Sequence, residues 1–118
     1  MKTVKLILVT FFAVLVVAGC NSQNQNKKVT STTEEIKVLG ECGMCKERIE
    51  DAMKIDGIAE AVWNQETKLL KVTYNPTLVT SDDIRKKVAA VGHDTEKYRA
   101  EDSVYANLPD CCHYERWN

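Results

Sequence analysis

The chain has 118 residues, a formal net charge of -1 and 44% hydrophobic residues, which suits one small globular domain with extensions and not two domains. Its 16 basic side chains are matched by 17 acidic ones, so there is no electrostatic basis for binding nucleic acid, which calls for a basic face. Five cysteines in so short a chain make sulfur chemistry the first question.

The apolar residues are unevenly spread. "LILVTFFAVLVVAG", residues 6–19, follows a short start carrying Lys2 and Lys5. The run is shorter than the roughly 20 residues a membrane-spanning helix needs, and residues 1–19 have the layout of a secretory signal peptide. Its end, "VAGC", resembles the lipobox of bacterial lipoproteins. That resemblance implies cleavage before Cys20, lipidation of Cys20, and an exported, membrane-anchored lipoprotein on the periplasmic or cell-surface side. An uncleaved anchor helix is the alternative. Residues 20–33 are polar, lack apolar periodicity and read as a flexible tether. Lipidation leaves four cysteines, Cys42, Cys45, Cys111 and Cys112, in a compartment where thiols tend to oxidise. They are then paired, bound to a metal or maintained by a reductant.

The folded domain is expected over residues 34–99. "EEIKVLG" alternates, with Ile36 and Val38 on one side, as in a strand. From Cys45 the period becomes helical: Ile49, Ala52 and Met53 share a face, charged residues cover the other, and Asp56-Gly57 supplies the stop. "IAEAVWN" is the second expected strand, with Ala59, Ala61 and Trp63 in phase. "KLLKVTY" is the third, with Leu70, Val72 and Tyr74 in phase, and Asn75-Pro76 ends it. Thr80 and Asp83 form a capping-box signature ahead of Ile84, Val88 and Val91, and Gly92 closes that helix. His93 to about Arg99 is a candidate fourth strand. The order β-α-β-β-α-β predicts an α+β, ferredoxin-like sandwich. Residues 100–118 form a tail with Tyr105, Leu108, Tyr114 and Trp117, enough apolar surface to dock.

The central motif lies in "LGECGMCKERIE", residues 39–50. A Cys-x-x-Cys at a strand-to-helix junction meets unpaired N–H groups and a partial positive charge, both of which favour thiolate. Thiolate both binds metal and attacks disulfides, so the pair by itself leaves both uses open. Two thiolates suit a soft ion content with few ligands, such as Cu(I), whereas structural zinc wants four.

A strand, Cys-x-x-Cys and helix within a β-α-β-β-α-β unit resembles the heavy-metal-associated domain family. The likeness runs from about Glu34 to Arg99 and includes the "GI" opening the second strand, "VTYNP" closing the third and "AVGHD" after the second helix. The resemblance implies that Cys42 and Cys45 grip a soft ion, Cu(I) foremost with Zn(II) or Hg(II) as alternatives. It also implies transfer to a matching cysteine pair on a metal-transporting ATPase or efflux component. One departure is visible. The family carries methionine two residues before the first cysteine, and this chain has Leu39-Gly40-Glu41 there, so a looser loop is expected. Met44 lies between the cysteines instead, as a partly exposed spacer or a third ligand.

Other donors are available. His93, in the loop that in this family hangs over the metal, is a candidate third ligand or a neighbour that tunes the thiolates. The tail gathers Cys111, Cys112 and His113. A disulfide between adjacent cysteines would close a strained eight-membered ring, so these residues either join the metal chemistry or staple the tail to Cys42 and Cys45. No catalytic triad, phosphate loop or paired-carboxylate site emerges, and the expected role is binding, not catalysis. A thiol–disulfide oxidoreductase is the enzyme alternative, although the aromatic neighbour and later proline of a thioredoxin-type site are missing. A metal-responsive accessory subunit of an efflux complex is the interaction alternative.

Overall fold

The computed structural model describes residues 30–118; the leader, Cys20 and most of the tether lie outside the described residues. Three strands form one antiparallel sheet in the order β1-β3-β2: β1 Thr32–Lys37, β2 Ile58–Trp63 and β3 Leu69–Tyr74. Helices α1 Gly43–Ala52 and α2 Ser81–Ala90 supply the second layer. The register sets Ile36 opposite Leu70 and Trp63 opposite Leu70, so the inward residues of all three strands line up. Ile36, Val38, Trp63, Leu70 and Val72 pack with Ile49 of α1, Met53 just after α1, and Ile84 and Val88 of α2, all essentially buried.

The local signals act where the sequence has them. The Thr80 hydroxyl accepts from the Asp83 N–H, and the Asp83 carboxylate accepts from the Thr80 N–H, completing the capping box. Glu34 joins the layers, accepting from Tyr74 Oη at 2.9 Å, Ser81 Oγ at 2.8 Å and Arg85 Nη2 at 3.0 Å.

Two expectations need correction. In β2 a bulge between Ile58 and Glu60 resets the phase, so Ile58, Ala61 and Trp63 face inward and Ala59 is exposed. The fourth strand is reduced to a single bridge, Val38 to Thr95. The Thr95 hydroxyl accepts from the N–H groups of Lys97 and Tyr98 and folds the chain into a turn, which an extended strand cannot share.

The tail docks. It forms α3, Asp102–Ala106, and a 3-10 turn, Asp110–Cys112, and packs Leu108 between them, Cys112 of the turn and Tyr114 beyond it into the main core. Gly92 makes this possible: it has φ +106°, and Leu108 lies so close that a Cβ at position 92 would stand 2.9 Å from Leu108 Cδ2. Tyr114 Oη donates to the Gly92 carbonyl at 2.7 Å and accepts from the Asp94 N–H at 2.9 Å. Trp117, by contrast, remains 39% exposed. No helix among the described residues is long and apolar enough to cross a membrane.

Candidate metal centre

The loop between β1 and α1 is held carbonyl by carbonyl. Trp63 Nε1 donates to the Val38 oxygen (3.0 Å), the His93 ring reaches the Leu39 oxygen through Nδ1 (2.8 Å), Lys68 Nζ donates to the Gly40 oxygen (2.6 Å), and Gln65 Nε2 donates to the Glu41 oxygen (2.8 Å). Four successive backbone acceptors are satisfied by side chains from three other segments. The expected looseness at Gly40 is therefore not found. A Cβ at position 40 would lie 2.9 Å from Trp63 Cζ2 and Cη2, so the indole occupies the space beneath the loop where a side chain at 40 would go.

This loop delivers Cys42 as the N-cap of α1, in extended conformation, and Cys45 one turn inside it. Cys45 is fully buried and its sulfur accepts from the Glu41 N–H at 3.4 Å. The two Sγ atoms are 3.6 Å apart. The docked tail brings the other two thiols to the same place, about 70 residues away in sequence. Cys112 Sγ lies 3.3 Å and Cys111 Sγ 2.7 Å from Cys42 Sγ. All four cysteines are free thiols. Cys42, Cys45 and Cys112 have their sulfurs within 4.8 Å of one another; Cys111 lies outside that set.

The electrostatics set Cys42 apart from Cys111 and Cys112 as the thiol that ionises most readily. Burial opposes ionisation of Cys42, but the thiols of Cys111 and Cys112 and the backbone and thiol of Cys45 outweigh it and bring Cys42 down to about 6. Cys112 is pushed up by burial and by its sulfur neighbours, and Cys111 by its hydrogen bond to Cys42 and by burial. Arg48 Nη1 donates to Cys112 Sγ at 3.6 Å, setting a positive charge beside the cluster.

The two histidines are placed differently. His93 is fully buried, with Nδ1 against the Leu39 oxygen, and its ring stacks on Tyr114 at 5.6 Å. Its Nε2 has no hydrogen-bond partner, and burial lowers its pKa to about 4. His93 thus supports the loop from below and does not enter the three-thiol group. His113 is exposed and packs on the Tyr105 ring at 5.3 Å. The tail tyrosines were legible only as generic docking contacts, and Arg116, which also seats the tail through Asp94, was missed because nothing local marks its partner.

Three sulfurs this close suit a soft ion with few ligands. A tetrahedral zinc site, with Zn–S near 2.3 Å, needs four ligand atoms mutually about 3.8 Å apart, and the fourth sulfur here is displaced outward. Fold and sulfur group together define a small α+β metal-binding domain of the strand–Cys-x-x-Cys–helix type.

Comparison with known proteins agrees. No family model matches the chain. It is 33% identical over 70 residues, 58% of its length, to a copper-exporting P-type ATPase of Staphylococcus saprophyticus. It is 36% identical over 63 residues, 52% of its length, to a zinc-transporting ATPase of Synechocystis. In both cases it spans only 9% of the relative. Among solved structures, a CopZ metallochaperone superposes with a TM-score of 0.53 at 30% identity, covering 54% of this chain and 98% of the chaperone. The chain belongs to the heavy-metal-associated domain family.

Proposed function

We propose that this protein binds Cu(I) at Cys42 and Cys45, with Cys112 as a third thiolate, and passes the ion on by ligand exchange. The observation that carries this reading is the convergence of three sulfurs within 4.8 Å at the N-terminus of α1. The copper-exporting ATPase and the CopZ metallochaperone among its relatives support Cu(I), and the zinc-transporting relative keeps Zn(II) as the second candidate.

The geometry suits holding and releasing, not bond-making in a substrate. Cys42 is partly exposed while Cys45 and Cys112 are buried, so an incoming thiolate reaches the ion from the Cys42 side and displaces one sulfur at a time. A metal-transporting ATPase or efflux component with a matching cysteine pair is the partner this exchange requires. The signal-peptide and lipobox features support a place at the cell envelope, with a lipid on Cys20 as the tether.

The test is a Cu(I) titration of the reduced chain against a chromophoric Cu(I) chelator. Cys42→Ser and Cys45→Ser are each expected to abolish tight binding while far-UV circular dichroism stays unchanged. Undiminished affinity in both variants would overturn the assignment.

A further inference from the structure

The three-thiol site leaves two exposed sulfurs unused. Cys111 and Met44 lie on the outer side of the cluster, and the Cys111 thiol donates to Met44 Sδ at 3.6 Å. Met44 is 51% exposed at the second position of α1, an unusual place for a large apolar side chain. Their arrangement has a local cause. The Asp110–Cys112 segment is a 3-10 turn, in which successive side chains point about 120° apart. Cys112 is thereby turned into the core and Cys111 out toward Met44, with both remaining beside Cys42.

Cys42 is the common neighbour. Its sulfur lies 2.7 Å from Cys111, 3.3 Å from Cys112 and 3.6 Å from Cys45. A thiolate has lone pairs enough to bind two soft ions at once. We propose that Cys42, Cys111 and Met44 form a second soft-ion site, sharing the Cys42 sulfur with the first, so that one chain holds two Cu(I) ions. The proposal rests on Cys42, Cys45 and Cys112 being the first site.

The charge balance favours it. On binding the second ion the Cys111 S–H bond breaks, the proton leaves to solvent, and Cys111 sulfur bonds to Cu(I) with Cys42 and Met44 completing the shell. One positive charge replaces another and no atom changes oxidation state. A neutral thioether is a soft donor that suits Cu(I) and adds no charge to the group. The outer site is exposed and the inner one buried, so the outer ion is the one an incoming partner meets first.

The experiment is an anaerobic titration of the reduced full-length chain with Cu(I) supplied as its acetonitrile complex, read by native mass spectrometry and chelator competition. The wild type is expected to take two ions per monomer. Cys111→Ser should take one, with the first affinity unchanged. Met44→Leu should weaken the second ion by about tenfold or more, again sparing the first. Both side chains are exposed, so neither change disturbs the core. Saturation of the wild type at one ion, or retention of two by Cys111→Ser, overturns the second site. Cys45→Ser probes the first site alone: an unchanged first affinity there overturns the underlying reading independently of the Cys111 result.

Discussion

Arg116 grips Asp94 with two hydrogen bonds, Nη2 to Oδ1 at 2.7 Å and Nε to Oδ2 at 2.8 Å, and both side chains are largely buried. This fork joins the last residues of the tail to the loop after α2. Asp94 also accepts from the Ala100 N–H at 2.7 Å, and its backbone N–H donates to Tyr114 Oη. Burial works against the Asp94 carboxylate, but Arg116 and Ala100 prevail and hold it below its usual range. The tail is therefore clamped immediately beyond Cys111 and Cys112, and its thiols are positioned by the clamp.

Breaking the clamp should act on both stability and binding. Arg116→Ala leaves a buried carboxylate without its counter-ion and is expected to cost about 3 kcal/mol in urea unfolding. It should also lower Cu(I) affinity to the level of a Cys112→Ser variant, since both changes withdraw the third sulfur. Unaltered affinity in Arg116→Ala would mean that Cys112 does not depend on the clamp.

Cys112→Ser itself should weaken the first Cu(I) without abolishing it, because it removes one of three thiolates and leaves the Cys42–Cys45 pair. Chelator competition gives the value. Cys42→Ser should be far more severe, because it removes the sulfur at the centre of the group.

Gly40→Met places a side chain where Trp63 already sits and is expected to destabilise the fold by roughly 1–3 kcal/mol through overpacking. Combining it with Trp63→Leu should restore part of that loss relative to the sum of the two single changes. A double-mutant cycle from urea midpoints measures the coupling. Strict additivity would show that the two positions do not share the space.

His93 should make the fold sensitive to mild acid. Its native pKa is lowered to about 4, mainly by burial, against an ordinary value of 6.5. The unfolded chain thus takes up this proton first. Stability present above pH 6.5 is lost as the pH falls toward 4, by about 3 kcal/mol in all. Asp94 and Glu34, also held below their ordinary values, act in the same direction, but their contributions are lost at lower pH, nearer and below those ordinary values. His93→Asn should flatten the 6.5-to-4 window, and an NMR titration of the His93 ring near 6.5 would contradict the burial argument.

Cys20→Ala should leave the protein unlipidated and release it from the membrane fraction. Retention of the full-length precursor mass in the membrane would instead favour an uncleaved helical anchor.

By itself the sequence determined the features that short-range forces decide. Alternation and helical spacing marked three strands and two helices. Thr80 with Asp83 marked one helix start, and Gly57 and Gly92, both with positive φ, marked two helix ends. The Cys42–Cys45 pair at a strand-to-helix junction was legible for the same reason: spacing and helix terminus are local. Tertiary structure alone decided which distant donors join that pair. Cys112 enters the group and His113 does not, because the Arg116–Asp94 fork and the Tyr114 hydroxyl turn the tail at one place. His93 faces the Leu39 carbonyl, because a buried backbone acceptor must be satisfied and the ring is the group that reaches it. Trp63 fills the space beneath Gly40, across 23 residues of chain that no local pattern spans. Periodicity records which face of an element is buried, except where a bulge resets it as in β2; it carries no record of what the buried face meets.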